Sequence, residues 1–287
     1  MKNYFKLMRL HHYLKNGLIF APLIFSGNLF DRELLYNTTL GFIAFCLIAS
    51  VVYIINDIQD VEADRLHPTK SKRPLAANLI PLRNAKVLVV FLVLVAAIIN
   101  VYAASNSLLA WVTLILYLVL NIAYSNGLKN YPIIDIAILV SGFVLRVLYG
   151  AGITEIEISN WLYLTVISMS FYLGLGKRRN ELVRQKNVSR KVLKYYNHNF
   201  LDKNMYMSLA LTITFYALWT VDPVTIARLS NDLLVWTVPL VMLICMKYSL
   251  NIEGDSDGDP VEVILKDKVL LGMVIAFCLI ALGIIYV

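Results

Sequence analysis

Long water-soluble stretches are absent from this chain. Outside its apolar runs almost everything in the 287 residues is connecting loop, which leaves no room for a separate soluble domain. Charge is scarce: Asp, Glu, Lys and Arg make up 16% of the residues, against roughly 25% in an ordinary globular domain. Cysteine is limited to Cys46, Cys245 and Cys278, isolated from one another and each inside an apolar run, so packing is the role left to them. His11, His12, His67 and His198 lack metal-ligand spacing. The basic N-terminus runs into an apolar stretch without an A-x-A-like cleavage site, which argues against a cleavable signal peptide. No internal repeat or low-complexity linker is visible.

What is present is hydrocarbon. Apolar residues make up 59% of the chain and the mean hydropathy is +0.68. A membrane helix needs roughly 20 apolar residues, and nine candidate spans can be drawn, at 16–30, 39–57, 85–104, 107–124, 133–151, 159–176, 205–221, 232–249 and 269–287. The first is short and interrupted by Pro22. The expected fold is an all-α integral membrane protein, residues 1–287 forming one transmembrane catalytic domain with a cytoplasm-facing cavity. Of 26 Lys and Arg residues, Arg32 and Arg228 fall in loops on one side, Arg146 lies inside a span, and the rest lie in the N-terminal segment or on the other side. The positive-inside rule makes that side, with the N-terminus, cytoplasmic. Topology and anionic headgroups account for the net charge of +7 without a nucleic acid partner.

The second span ends in Asn56-Asp57-Ile58-Gln59-Asp60-Val61-Glu62-Ala63-Asp64, four carboxylates in eight positions. On a continuous helix Asn56, Asp60 and Asp64 share a face, with Asp57 beside them. Carboxylates joined by waters and substrate phosphates are the usual shell of Mg²⁺ in phosphate chemistry. The alternative is an acidic, solvated helix end. The next stretch, Arg65-Leu66-His67-Pro68-Thr69-Lys70-Ser71-Lys72-Arg73-Pro74, weighs against it, because it supplies the cations that phosphate oxygens need. Of the histidines, only His67 in this stretch invites a functional role.

Further polar groups mark two other places. Tyr124 to Asp135, with Lys129 between them, crosses a cytoplasmic loop into the fifth span, and Arg146 follows eleven residues after Asp135. An ionisable residue at that depth faces a protein interior or a wet cavity. Arg146 either holds a phosphate or has a structural partner in another span. Gly142, Gly150 and Gly152 permit close helix contact. Lys177-Arg178-Arg179, at the end of the sixth span, either reach the cavity or simply favour the helix dipole and headgroups. The basic run 186–194 with Tyr195 and Tyr196 suggests an interfacial amphipathic helix. Asp255-Ser256-Asp257-Gly258-Asp259 lacks the glycine position and final acid of a calcium loop, and reads as a solvated turn.

Taken together, Asn56-Asp57-x-x-Asp60-x-x-x-Asp64 followed by Arg73-Pro74 resembles the first aspartate motif of the UbiA superfamily of intramembrane prenyltransferases. The polyprenyl-phosphate phosphoribosyltransferase branch is more similar still. It is carried by Leu14-Lys15-Asn16 with Phe20-Ala21-Pro22-Leu23, His67-Pro68-x-Lys70-x-x-Arg73-Pro74, Gly142-Phe143-x-x-Arg146, Gly176-Lys177-Arg178-Arg179-x-Glu181-Leu182 and Asp259-Pro260. The wider superfamily usually carries a second aspartate-rich motif after the fourth span. Here that region has Asp135 and no further carboxylate in the following turns, which counts against aromatic prenylation.

The resemblance implies an Mg²⁺-dependent transfer of 5-phosphoribosyl from phosphoribosyl diphosphate to a polyprenyl phosphate such as decaprenyl phosphate, for envelope-glycan precursor synthesis at the plasma membrane. It implies metal held by Asp57, Asp60 and Asp64 with Asn56 as a neutral ligand or hydrogen-bond partner. Phosphates would be held among Lys15, Lys70, Arg73, Arg146, Lys177 and Arg178, with Asn16, Arg65, His67, Tyr124, Lys129 and Asp135 also lining the substrate site. Membrane lipids are expected partners, and a homo-oligomer is left open. The alternatives are prenyl transfer from an allylic diphosphate to an aromatic acceptor on the same scaffold, and a transporter using Asp135 and Arg146. Acids concentrated at the cytoplasmic mouth, without inverted-repeat signals, argue against the transporter.

Overall fold

The computed structural model describes residues 2–66, 69–104, 107–184, 191–254 and 258–287, and every regular element among them is helical. In chain order they are α1 (Lys2–Met8), a 3₁₀ stretch (Leu10–Phe20), α2 (Ala21–Phe25), α3 (Arg32–Gln59), α4 (Val61–Arg65), α5 (Leu82–Ala104), α6 (Leu108–Ser125), α7 (Ile134–Thr154), α8 (Asn160–Arg184), α9 (His198–Thr220), α10 (Pro223–Leu229), α11 (Val238–Glu253), α12 (Pro260–Lys266) and α13 (Lys268–Tyr286). Short 3₁₀ turns link several of them. The starts are set by capping side chains. Asp31 accepts from the Glu33 and Leu34 amides, Ser107 from Ala110, and Asp267 from Val269 and Leu270. Each supplies an acceptor to amides that have no partner within the helix.

Six described helical segments are long and apolar enough to cross a membrane, and a seventh is counted if α9 and α10, bent by 55°, form one span. These match seven of the nine expected spans; the remaining two differ for physical reasons. Residues 16–30 form the end of the 3₁₀ stretch, the five-residue α2 and a turn at Gly27, whose φ of 81° suits glycine. Pro22, in the first turn of α2, is tolerated there but could not continue a preceding helix. For 159–176, α8 is 25 residues long, yet its apolar run is diluted by Thr165, Ser168 and Ser170 and ends in Lys177-Arg178-Arg179. Those hydroxyls back-bond to carbonyls one turn earlier.

The chain divides into two compact units. One comprises Met1–Ala21, Phe30–Leu128 and Leu145–Glu155. In it α3 packs along α5, and a core of Phe45, Ala49, Leu114, Tyr117, Leu145 and Tyr149 lies along the membrane-spanning part. A second cluster, with Leu7, Val51, Ile54, Val61, Leu75 and Ile80, binds α1 and the 61–80 segment to the end of α3. Gly150 and Gly152 behave as expected. A Cβ on Gly150 would lie 2.0 Å from the Ile19 carbonyl oxygen, and one on Gly152 would lie 2.7 Å from the Ala110 nitrogen. The other unit comprises Pro22–Leu29, Lys129–Val144 and Ile156–Val287. There α8 packs along α9, and Leu162, Tyr216, Trp219, Leu234 and Ile285 form the core.

Candidate active site

The acid segment does not run on as one regular helix. At Asp60 (φ −91°, ψ 6°) α3 ends and α4 begins, although the Asp60 amide still donates to Asn56 O at 2.9 Å and Asp64 to Asp60 O at 2.8 Å. Asp57 and Asp64, two turns apart, come together, and among the described residues no three acidic, histidine or cysteine side chains form a cluster able to hold a metal.

Arginine bridges the two acids. Arg73 Nη1 donates to Asp57 Oδ1 at 3.1 Å and to Asp64 Oδ2 at 2.6 Å. Arg9 Nη2 donates to the same Asp57 oxygen at 2.5 Å. Exposure is unequal: the Asp57 and Asp64 side chains are 2% and 5% exposed, those of Arg9 and Arg73 19% and 26%. The carboxylates thus form the floor and the guanidiniums the rim.

Arg9 escaped the reading of the sequence, which counted it only as one of the N-terminal cations. Its position depends on a backbone that no local pattern announces. Arg9 is left-handed (φ 54°, ψ 52°) between α1 and the 3₁₀ stretch. Ser50 Oγ donates to the Met8 carbonyl at 3.0 Å and also meets Tyr13 Oη at 2.8 Å, while the guanidinium lies 4.9 Å from the centre of the Tyr53 ring. A non-glycine residue adopts such a conformation only where its surroundings over-determine it.

Around this quartet, Asn56 Oδ1 accepts from Ser125 Oγ at 3.2 Å and Gln59 Nε2 donates to Asn126 Oδ1 at 2.7 Å, so the segment that follows Tyr124 lies beside the acid motif. Tyr124, Lys15 and Lys70 are half-buried. Arg65 is engaged elsewhere: Nη1 donates to Glu62 Oε1 at 2.8 Å and Nη2 to Asn78 Oδ1 at 2.7 Å. His67 lies outside the described residues.

Arg146 belongs to the same unit as the quartet. Its Nε donates to Asn16 Oδ1 at 2.7 Å and its Nη2 to Tyr117 Oη at 3.2 Å, and the guanidinium lies 5.2 Å from the Phe45 ring centre. Asn16 is buried and also donates to Cys46 Sγ at 3.0 Å. Phe45 precedes Asp57 by twelve residues on α3, about 18 Å at 1.5 Å per residue. Asn16 follows Arg9 by seven along the 3₁₀ stretch, about 14 Å at 2.0 Å per residue.

In the other unit, Asp135 and Arg178 meet each other. Arg178 Nε donates to Asp135 Oδ2 at 2.6 Å and its Nη1 to Glu181 Oε2 at 2.6 Å, and both Asp135 and Arg178 side chains are 0% exposed. Tyr196 Oη donates to Asp135 Oδ1 at 2.6 Å and accepts from the Ile133 amide at 2.6 Å. The Tyr196 hydroxyl is held well above its ordinary pKa, first by burial and then by that carboxylate. This corrects part of the interfacial-helix expectation. Residues 186–190 lie outside the described set, Lys191–Tyr195 form a 3₁₀ turn, and Tyr196 bonds inward. Lys177 lies 3.8 Å from Asp259, which caps α12, and Lys129 is half-buried in a 3₁₀ turn. Asp255–Asp257 lie outside the described residues.

A divalent cation fits the quartet chemically. Mg²⁺ commonly takes one or two carboxylates and completes its shell with water and phosphate oxygens. Asp57 and Asp64 supply those two carboxylates, already converging on one cationic nitrogen.

Known proteins agree with this architecture. A decaprenyl-phosphate phosphoribosyltransferase from Corynebacterium glutamicum is 33% identical over 286 residues, covering 96% of this chain and 85% of its own. One from Mycolicibacterium smegmatis is also 33% identical, with 92% of this chain and 86% of its own covered. Among solved structures, a UbiA homolog from Archaeoglobus fulgidus bound to GPP and Mg2+ superposes with a TM-score of 0.70 at 17% identity, over 98% of this chain and 99% of that one. The profile of the UbiA prenyltransferase family matches residues 19–265, and the chain belongs to that family.

Proposed function

We propose that this chain transfers the 5-phosphoribosyl group of phosphoribosyl diphosphate to a polyprenyl phosphate, releasing diphosphate. The observation that carries the reading is the quartet, in which two buried carboxylates lie beneath two partly exposed arginines, an arrangement matched to a metal-bound diphosphate. The phosphoribosyltransferase names of the relatives, at 33% identity over nearly the whole chain, support the donor and acceptor classes.

The chemistry asks for positioning more than for a strong base. An oxygen of the lipid phosphate, already anionic, attacks ribose C1 with inversion as the C1–O bond breaks and its electron pair leaves with diphosphate. Asp57 and Asp64 would hold Mg²⁺, with Asn56 and Asp60 on its periphery. When bound, that ion neutralises charge on the leaving diphosphate. Arg73 and Lys70 stabilise the phosphate oxygens, and charge-assisted hydrogen bonds of this kind are worth about 1.5–3 kcal/mol each. In this reading Arg146, held by Asn16 and Tyr117 within the protein interior, organises its unit. Asp135 and Arg178 likewise have a structural part. We further propose nine crossings of the plasma membrane, with the N-terminus and the quartet on the cytoplasmic side, where phosphorylated sugars are available.

The test is incubation of purified protein with Mg²⁺, phosphoribosyl diphosphate and a short polyprenyl phosphate, followed by mass spectrometry of the lipid fraction. A lipid gaining one phosphoribosyl group, and failing to gain it with chelator, is the expected product. Turnover of an allylic diphosphate instead would move the protein to prenyl transfer.

A further inference from the structure

The quartet has a charge balance that bears on how it loads. Asp57 and Asp64 contribute two negative charges, and Arg9 and Arg73 two positive ones, within hydrogen-bond distance of one another. A bare divalent cation arriving at Asp57 meets two guanidiniums that share one oxygen of that carboxylate. A bare diphosphate arriving at the arginines meets two buried carboxylates. The two ligands together remove both conflicts. The cation takes the carboxylates, and the guanidiniums, partly exposed at the rim, turn their donors to phosphate oxygens without crossing the bundle.

We propose that Arg9 is a phosphate-binding residue and that, with Arg73, it makes the site take a divalent cation and a diphosphate only as a pair. The placement of Arg9 supports this role over simple neutralisation. Arg73 alone already bridges both acids, so Arg9 adds a second cation to an oxygen that has one. That second cation is held by a left-handed backbone, by the Ser50 bond to the preceding carbonyl and by the Tyr53 ring. The inference rests on the diphosphate site proposed above and names a residue that the sequence motifs leave out.

Binding can be measured without turnover, using Mn²⁺ by electron paramagnetic resonance and inorganic diphosphate by calorimetry, each alone and then together, on the full chain in detergent. In the wild type, each ligand should tighten the other by about tenfold or more, the size of one charge-assisted hydrogen bond. Arg9→Gln should tighten Mn²⁺ alone, because a competitor for Asp57 is gone, and weaken diphosphate in the presence of Mn²⁺ by about tenfold. Mn²⁺ affinity that is unchanged or lower in Arg9→Gln would overturn the proposal, as would independent binding of the two ligands to the wild type. Should Arg9→Gln fail to fold, Arg9→Lys keeps the charge but loses the fork. The same loss of diphosphate affinity is expected there, and wild-type affinity overturns the proposal. If diphosphate and Mn²⁺ bind as a pair while no phosphoribosyl lipid forms, the binding proposal stands and the assigned reaction falls.

Discussion

Two acid–arginine clusters in this protein use the same side chains to different ends. At Asp135 and Arg178 both partners are fully buried; Arg178 also donates to Glu181, and Asp135 accepts from Tyr196, whose hydroxyl accepts from the Ile133 amide. At Asp57 and Asp64 only the acids are buried, and the arginines remain partly open. A sealed pair holds segments in place, whereas a half-open one can exchange its partners for a ligand. Exposure of the cation, more than the presence of an Asp–Arg pair, distinguishes the two clusters.

Breaking each cluster should therefore fail in a different currency. Asp64→Asn keeps shape and a hydrogen-bond acceptor but removes charge from the floor of the open site, so phosphoribosyl transfer should drop by about 10²–10³-fold, the scale seen when one electrostatic stabiliser is lost. Its melting temperature in detergent should stay near wild type. A variant that unfolds, or one that keeps full transfer, would place Asp64 on the structural side of the comparison. Arg178→Ala should do the reverse, because it leaves Asp135 buried beside an empty volume, a loss of about 3–5 kcal/mol. Chemical denaturation should show that loss, and transfer should follow the folded fraction. Normal stability with transfer gone would return Arg178 to the substrate-binding set.

Tyr196→Phe probes the sealed cluster more gently. It removes one hydrogen bond to a buried carboxylate and the acceptor of the Ile133 amide, at about 1–3 kcal/mol. Ile133 is itself left-handed, with φ of 69°, so the start of α7 should loosen first. Hydrogen exchange at residues 133–137 should quicken while the quartet's ligand affinity holds. Exchange unchanged there would mean that Arg178 alone fixes Asp135.

The asymmetry between the clusters explains what the sequence could reveal. Asn56 to Asp64 stands out because four acids close an apolar run, and that contrast survives without coordinates. Most spans were legible for the same reason, since length and hydropathy are local. The pairing of Asp135 with Arg178, 43 residues later, is not local, so the sequence offered each charge without its partner. Arg9 was missed because its place depends on a left-handed turn and on a serine 41 residues away. Residues 16–30 were less legible as a structure, because hydropathy does not record that the backbone winds as a 3₁₀ helix before Pro22.

The smallest effect should come from an acid–base pair that is neither sealed nor part of the quartet, Asp267 with Lys247 at 2.8 Å, where α13 begins. The Asp267 carboxyl is held below its ordinary value, chiefly by the Lys247 hydrogen bond, then by the Leu270 amide and by Asn251. A depressed folded value means that its contribution is present above the ordinary carboxylate range and is lost as the pH falls through the folded value. Asp267→Asn keeps a capping side chain but removes the charge. It should therefore lower the melting temperature only slightly near pH 7, converge with wild type in acid and so flatten the acid limb, the effect staying small because water and salt weaken a partly exposed pair. High salt should reproduce most of that flattening in the wild type while leaving the Asp135–Arg178 cluster unaffected. A large loss at neutral pH would mean that partner exposure is the wrong measure, and the distinction between the open and sealed clusters would have to rest on geometry alone.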